Sequence, residues 1–394
     1  MADSERIEGS GSSASESPAR AAPRSGPGRM VYMDNLRGFI VILVVVFHSA
    51  VGYMVHMPPW WYVPDSRKLI VTDGFEALTD VFMMPLMMMV AGYFAAGSIG
   101  RSGPRRFVER RATRLVIPWV AGVVLCTPLI TYVGLVARGA RPESILRFWG
   151  AYFQSRHFHH AHYWFLGMLA VLSVCLAVWV RWRGPVRRIE DRRGPSTLHW
   201  ALVVALPAAW LFGMNLVIAD DEWLVWGWVV SIQPTRVGMY VAYFAWGVVA
   251  WRRGWLEAGG WLPDVRRWGA LAVIGTVGVL LYKSWCLRRG EVWVLAINAV
   301  LHSAYCLTMV MLLLGWFHRH ANRPAGVFGG LVRNSFGIYF IHFGVVAPMS
   351  LAAVHWDLPA AAKWLVVSVV SVSVSWCVSE FALVRLPYIR RVFA

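Results

Sequence analysis

Ten stretches of this sequence are apolar and long enough to cross a lipid bilayer, and this feature restricts the fold more than any other. They lie at about 38–56, 80–98, 115–137, 163–181, 199–219, 237–251, 268–283, 292–316, 335–354 and 364–385. Hydrophobic residues make up 58% of the 394 residues and charged residues 15%, proportions typical of multi-spanning membrane proteins. Because backbone groups in lipid must be satisfied within the segment, we predict an all-α polytopic bundle of about ten transmembrane helices.

The region before the first apolar stretch has a different composition. Residues 1–29 are rich in Ser, Gly, Ala, Pro and Arg and contain almost no large apolar side chain. We predict that 1–29 is a disordered cytoplasmic tail and that 30–394 forms one membrane domain. More than two thirds of the 38 Lys and Arg residues fall on the side of both termini, which predicts cytoplasmic termini. We therefore expect a multi-pass protein of the cell membrane, in the inner (cytoplasmic) membrane of a bacterium.

The strongly basic composition does not indicate a nucleic-acid-binding protein. The net charge of the chain is +17, but the basic residues are distributed over the loops. They do not form a patch interleaved with exposed aromatic residues. Membrane lipids are the partners that such loops predict. The five cysteines lie inside apolar stretches at no metal-binding spacing, and the histidines between His157 and His162 have no Cys or carboxylate beside them. We therefore predict neither a disulfide framework nor a metal site.

Arg37 and His48 lie eleven positions apart in the first apolar stretch. On a helix they would face the same side to within roughly 20°, with His48 about 16 Å deeper in the bilayer. Ionisable groups at this depth usually mark a functional site; arginine suits phosphate binding, and histidine suits proton transfer. Asp34 precedes Arg37 by one turn and is predicted to orient it. The alternative is that Arg37 anchors the helix and His48 satisfies a hydrogen bond in the core.

A second basic group precedes the third apolar stretch. Arg111 and Arg114 would share one helix face at the predicted cytoplasmic end, on the same side of the membrane as Arg37. Guanidinium groups bind phosphate oxygens in bidentate geometry, so the three arginines predict a phosphate-binding site. The alternative is a topology signal combined with attraction to anionic lipid.

Other polar residues in apolar surroundings are candidates for a pocket. His162 and Trp164 begin the fourth stretch, where they are predicted to line an outward-facing entrance for an acceptor. Tyr339 and His342 share a face of the ninth stretch and predict a polar pocket or, alternatively, a satisfied core pair. Glu380 is the only carboxylate deep in the tenth stretch, and we predict that it pairs with an arginine or a polar head group.

These motifs together resemble acyltransferase family 3, a family of integral membrane O-acyltransferases. The match consists of Arg37-(ten residues)-His48, Arg111-x-x-Arg114 and Ser335-Phe336-Gly337-Ile338-Tyr339-x-x-His342. Three further segments are similar to the branch of the glucan-succinylating membrane protein: Met33-Asp34-Asn35-Leu36-Arg37, His162-Tyr163-Trp164-Phe165-Leu166 and Phe244-x-x-Gly247-x-x-x-Trp251-Arg252.

The resemblance implies an acyl-CoA donor on the cytoplasmic side and an acceptor modified at or beyond the outer face. It implies that His48 is the catalytic histidine and that Arg37, Arg111 and Arg114 contact the donor. The expected activity is transfer of an acyl group, acetyl or succinyl, to a hydroxyl of a glycan, lipid or metabolite. Acyl-CoA is the co-substrate, no permanently bound cofactor is expected, and Tyr339 or His342 is predicted to stabilise the oxyanion.

Two other classes of function are compatible with a polytopic bundle. A transporter or flippase for a glycan, lipid or metabolite would use buried polar residues to line a path, but no inverted repeat or pair of broken helices is visible in the sequence. A membrane scaffold would use its basic loops and would not need His48. The sequence therefore favours transfer over both.

Overall fold

The computed structural model describes residues 30–140, 142, 144–189, 193–286 and 291–385. The contacts divide the chain after Met30, and the second unit, Val31–Ala394, contains every helix described below. The predicted tail, 1–29, lies outside the described residues, as does the C-terminal end of the predicted membrane domain, 386–394.

Helices account for almost all of the regular structure in these ranges. In chain order they are α1 Val31–Ala50, α2 Ile70–Ser102, α3 Pro104–Arg111, α4 Ile117–Ala121, α5 Thr127–Ala137, α6 Ile145–Tyr152, α7 Trp164–Arg183, α8 Thr197–Asn215, α9 Pro234–Arg252, α10 Val265–Cys286, α11 Val292–His320, α12 Gly329–Arg333, α13 Ser335–Val354 and α14 Ala360–Val378. One antiparallel hairpin, β1 (Leu224–Trp226) and β2 (Val230–Ile232), pairs Leu224 with Ile232. The prediction of an all-α helical membrane protein is confirmed at this level.

Within the described ranges, nine helical segments are long and apolar enough to cross a membrane. The remaining predicted stretch, 237–251, corresponds to α9, which has 19 residues but is less apolar than the other nine. It packs against α2 and α8. Ten crossings and cytoplasmic termini therefore stay predictions.

The third span, Pro104–Ala137, is interrupted by two wide π-helical turns, Ala112–Val116 and Gly122–Cys126. Pro118 and Pro128 each follow one of these turns closely, and a proline leaves a carbonyl of the preceding turn without its usual partner. Gly122 lies in the second turn, where an added Cβ would stand 2.4 Å from the Tyr163 ring. Gly122 therefore lets Tyr163, which follows His162, pack directly against this span.

Helices α2 and α9 approach each other closely at two glycines. A Cβ on Gly92 would lie 2.1 Å from the Phe244 carbonyl oxygen, and one on Gly247 would lie 2.0 Å from that of Met89. Small residues permit this backbone approach in membrane helices, where dispersion contacts contribute much of the association energy. The close crossing fixes α2 and α9 relative to each other, and both helices supply walls of the site described next.

The segment between α1 and α2 is attached to α14 by a buried ion pair. Lys363 Nζ lies 2.9 Å from Asp65 Oδ2, and the two side chains are 1% and 3% exposed. Asp65 also accepts a hydrogen bond from the Arg67 amide at 2.7 Å. This attachment positions the aromatic residues 60–62, which precede Asp65 in the same segment.

Candidate active site

A cavity of about 1460 Å³ opens at the end of the bundle where α1 ends and α2 begins. Its walls come from residues 54–62, from the starts of α2, α7 and α9, and from the end of α10. Four of the residues that the sequence predicts for the site line it: His48, His162, Trp164 and Tyr339. The predicted topology places this opening on the outer side of the membrane.

His48 lies in α1 at the wall of this cavity and is hydrogen-bonded to His342. The Nδ1 atom of His342 is 2.6 Å from the carbonyl oxygen of Tyr339, which can only accept, so this nitrogen carries the proton. The Nε2 atom of neutral His342 is then an acceptor, 3.1 Å from His48 Nδ1, and His48 donates from Nδ1. The two bonds together leave an unprotonated Nε2 on His48, as a general base requires.

His162 is the third histidine of this group. Its ring centroid is 4.5 Å from that of His342, and the ring stacks on Phe343 at 5.3 Å with an interplanar angle of 7°. The residue is 5% exposed, and neither ring nitrogen has a hydrogen-bond partner in the protein. His162 lines the cavity, and its two nitrogens are buried in the cavity wall.

The expectation that Tyr339 or His342 stabilises the oxyanion is not supported by their contacts. The Tyr339 hydroxyl donates a short hydrogen bond to the backbone carbonyl of His162, so its proton is already used. Both ring nitrogens of His342 are occupied by Tyr339 and His48. These residues hold the neighbouring histidines in place, and the donors that face the cavity come from elsewhere.

Trp61 is a site residue that the sequence reasoning missed. Its indole lies parallel to the His48 imidazole, with centroids 5.9 Å apart and an interplanar angle of 6°. The side chain is 3% exposed and its Nε1 donor has no partner in the protein. The only signal was the run Trp60-Trp61-Tyr62 directly after the first apolar stretch, which also fits an aromatic belt at the membrane interface.

A charged wall of the cavity was also missed. The Arg236 guanidinium lies 3.1 Å from Asp220 and 3.7 Å from Asp80, and it contacts the ring of His302. These residues come from α9, the loop after α8, α2 and α11, so no local sequence pattern joins them. Buried charges of this kind are usually paired, and here the pairing leaves a polar surface facing the cavity.

The three predicted donor-binding arginines lie at the other end of α1. Arg37 Nη1 is 3.9 Å from Asp34 Oδ1, the predicted i,i+3 pair, and its side chain is 42% exposed. Arg37, Arg111 and Arg114 are close enough for their charges to repel one another. Such a group of like charges is stabilised by a bound anion.

Two of the predicted pocket residues lie away from the cavity. Asp34 belongs to the arginine group. Glu380 accepts a 2.5 Å hydrogen bond from the Asn334 amide, whose oxygen in turn accepts one from Ser379. In the described part of the chain Asn334, directly before α13, is therefore the partner of Glu380, and pairing with an arginine or a head group stays a prediction.

The histidines that precede His162 support the cavity wall. His159 Nδ1 accepts a hydrogen bond from the Ala161 amide at 2.9 Å, and the ring also contacts the hydroxyls of Tyr62 and Thr131. Burial and the neighbouring His160 and His157 lower the pKa of His159 to about 3, so it is neutral at physiological pH. In the described part of the chain, no group of three or more His, Cys, Asp or Glu residues is arranged to hold a metal ion.

Comparison with known proteins identifies the family of the chain. The family described as an acyltransferase domain, acyltransferase family 3, matches residues 30–380. Glucans biosynthesis protein C of Escherichia coli K12 is 22% identical over 321 residues, which cover 80% of this chain and 81% of that protein. The proteins of the same name from Escherichia coli strains HS and O157:H7 match to the same extent. With the family match extending over most of the chain, this helical membrane protein belongs to acyltransferase family 3.

Proposed function

We propose that this membrane acyltransferase moves an acyl group from cytoplasmic acyl-CoA to a hydroxyl of an acceptor bound in the cavity beside His48. The observation that carries the proposal is the chain of hydrogen bonds from the Tyr339 carbonyl through His342 to His48, which leaves a basic nitrogen on a residue that lines the cavity. Membership of an acyltransferase family supplies the class of reaction.

The donor is assigned to the arginine end of α1. Coenzyme A carries phosphates at one end and the thioester at the far end of a flexible arm. Arg37, Arg111 and Arg114 offer three mutually repelling cations for the phosphates. Since Arg37 and His48 are both within α1, the arm has to extend about 16 Å along this helix to bring the thioester to the histidine.

The chemical step transfers one proton and one acyl group. His48 Nε2 removes the proton of the acceptor hydroxyl as the oxygen attacks the thioester carbonyl carbon. The tetrahedral intermediate collapses, the C–S bond breaks, and the leaving thiolate takes the proton from the His48 imidazolium. The products are an ester on the acceptor and free coenzyme A.

Two unpartnered groups near His48 are suited to stabilise the oxyanion. Trp61 stacks on His48 and presents an indole N–H without a partner, and neutral His162 presents one ring N–H. Both are almost completely buried, so a hydrogen bond to a developing negative charge would be strengthened by the low dielectric surroundings.

The acceptor is proposed to be a hydroxylated molecule at the outer face, a glycan in the first instance. The name of the Escherichia coli relatives connects them with glucan biosynthesis, which favours an O-acylated saccharide over a protein or nucleic acid. Acetyl and succinyl are the acyl groups to be tested first. The apolar helices support a multi-pass membrane protein, and we assign the reaction to the bacterial inner membrane.

The central test is acyl transfer by proteoliposomes that contain wild-type protein or His48→Ala. Release of coenzyme A from acetyl-CoA and succinyl-CoA would be followed together with mass analysis of glucan acceptors. We expect His48→Ala to lose about 10²- to 10⁴-fold in rate. His355→Ala changes an exposed histidine directly after the end of α13. It serves as the control and should keep the wild-type rate. Equal rates for His48→Ala and wild type would refute the mechanism.

The donor site is tested separately. The double variant Arg111→Ala/Arg114→Ala should raise the KM for acyl-CoA about tenfold or more, since two phosphate contacts are removed. Arg266→Ala/Arg267→Ala removes two exposed arginines at the start of α10 and should leave KM unchanged. The same change in KM in both double variants would indicate that membrane-surface charge alone attracts the donor.

A further inference from the structure

The charges that line the cavity are unbalanced. Six carboxylates face it from the described residues: Asp73, Glu76, Asp80, Asp220, Asp221 and Glu222. Two permanent cations, Arg236 and Lys283, lie on the same surface. With every carboxyl group counted as ionised, six against two is a formal excess of negative charge within this part of the chain, although the protein as a whole carries a formal charge of +17.

The cationic group of Arg236 is already shared between two carboxylates. Its guanidinium lies 3.1 Å from Asp220 and 3.7 Å from Asp80. Asp73 is satisfied differently, by the backbone amides of Val55 and His56 at 2.8 Å each. Lys283 is therefore the one cation among the described lining residues that remains for Glu76 and for the exposed residues 221 and 222 at the mouth.

Among the three carboxylates that share Lys283, Glu76 is the one within a membrane-spanning helix, α2. Asp73, Glu76 and Asp80 follow one another at helical spacing on the face that lines the cavity. A carboxylate within a membrane-spanning helix is costly, and such residues normally face a polar cavity and serve a ligand. In low-dielectric walls the field of this helix face attracts cations and repels phosphates.

The cavity also offers aromatic surfaces and unused hydrogen-bonding groups. Trp164 stacks on Tyr240 at 5.2 Å and meets Trp223 edge to face at 5.7 Å, and all three rings line the cavity. The buried nitrogens of Trp61 and His162 have no partner in the protein. Aromatic faces bind both sugar rings and cations, and the unpaired nitrogens are suited to a polar ligand.

The volume of the cavity leaves room for a large ligand. At about 1460 Å³ the cavity exceeds the range of about 300–1,000 Å³ that is usual for sites of drug-sized molecules. A single sugar ring would leave most of it filled with water. The site therefore fits a molecule of several rings.

We propose that the acceptor is a saccharide of several rings that carries at least one ammonium group, and that Glu76 is a main contact of this group. The inference rests on the proposed function for why a saccharide is bound here, and adds the charge of the acceptor to it. Anionic acceptors, phospholipid head groups included, are disfavoured because their phosphates would face the carboxylates.

The test measures binding in the absence of any acyl donor, so its outcome is independent of catalysis. Tryptophan fluorescence of the detergent-solubilised full chain would be titrated at pH 7 with three probes of equal ring number: a glucosamine, a glucose and a galacturonate oligomer. We expect the glucosamine oligomer to bind about tenfold more tightly than the glucose oligomer, and the galacturonate oligomer most weakly. The preference should shrink as salt is raised.

Three variants test whether the preference for the glucosamine oligomer over the glucose oligomer arises in the cavity. Glu76→Gln should reduce it about 5- to 10-fold, and the exposed pair Asp221→Asn/Glu222→Gln should reduce it less; the second variant covers the case in which the first does not fold. Glu291→Gln removes an exposed carboxylate at the start of α11 that does not line the cavity, and should leave it unchanged.

Two results would overturn the proposal: a glucosamine oligomer that binds no better than the glucose oligomer or does not bind, or a preference that survives in both cavity variants. His48→Ala should keep the full preference. Loss of acyl transfer in His48→Ala with retained selectivity supports both proposals, whereas unaffected transfer with retained selectivity removes only the catalytic one.

Discussion

His342 should control the rate of transfer without touching the reacting atoms. Its Nε2 accepts the Nδ1 proton of His48 at 3.1 Å, and its own Nδ1 is fixed by the Tyr339 carbonyl at 2.6 Å. His342→Phe keeps an aromatic ring of similar size in this buried position and removes the acceptor. His48 would then be free to carry its proton on Nε2, where it cannot act as the base.

The size of the effect follows from the single hydrogen bond that is lost. Leaving a buried donor without a partner costs about 1–3 kcal/mol. If this cost falls on the tautomer of His48 that carries its proton on Nδ1 and can act as the base, kcat decreases about 5- to 150-fold. The KM for acyl-CoA should stay the same, because the arginine group lies at the other end of α1. His342→Gln can accept the same proton through its amide oxygen and should recover a large part of the rate.

Initial rates of coenzyme A release over a range of pH and donor concentration would measure these quantities. The shape of the pH profile separates positioning from a general loss of folding: His342→Phe should shift the profile, whereas a partly unfolded sample lowers it uniformly. The reasoning is refuted if His342→Phe and His342→Gln have the same rate and the wild-type pH profile.

The remaining predictions concern stability, measured as thermal unfolding in detergent. Lys363→Met should cost about 3–5 kcal/mol because it leaves Asp65 buried and unpaired, while adding Asp65→Asn should restore most of the loss; equal melting temperatures for single and double variants would contradict this. The pKa of His159 is about 3 in the fold against an ordinary 6.5, so the unfolded state gains a proton first as pH falls, and stability should decrease by about 2 kcal/mol between pH 7 and 5. A His159→Gln variant that shows the same loss would disprove the assignment. Gly247→Ala should cost about 1–3 kcal/mol or more because its Cβ would stand 2.0 Å from the Met89 carbonyl oxygen, and an unchanged melting temperature would count against the close helix crossing.

The parts of the site that share one helix could be predicted from the sequence. Arg37 and His48 lie on α1, and the helical period alone places them on one side at different depths. The same period placed Tyr339 and His342 together on α13, where they form one hydrogen-bonded unit. Long apolar stretches likewise located the helices, because length and hydropathy are local properties.

Contacts between distant segments could not be predicted in this way. Arg236 meets Asp80 and Asp220 from three separate segments, and only the folded bundle brings them to one wall. Glu380 was expected to pair with an arginine or a polar head group, but in the described part of the chain the Asn334 amide donates to it, and the Ser379 hydroxyl donates to the oxygen of the same amide. Residue type predicts that a buried polar group will be satisfied, and tertiary packing decides which group satisfies it.

The two ends of α1 have opposite electrostatic character, and this contrast gives the proposed reaction its direction. The arginines at one end would hold the phosphates of acyl-CoA, and the carboxylates of the cavity at the other end repel them. Acetyl-CoA can therefore approach His48 only with its neutral thioester arm, since moving its nucleotide end into the cavity would bring like charges together. A neutral or cationic acceptor meets no such barrier in the cavity, so the base lies where the uncharged part of one substrate meets the hydroxyl of the other.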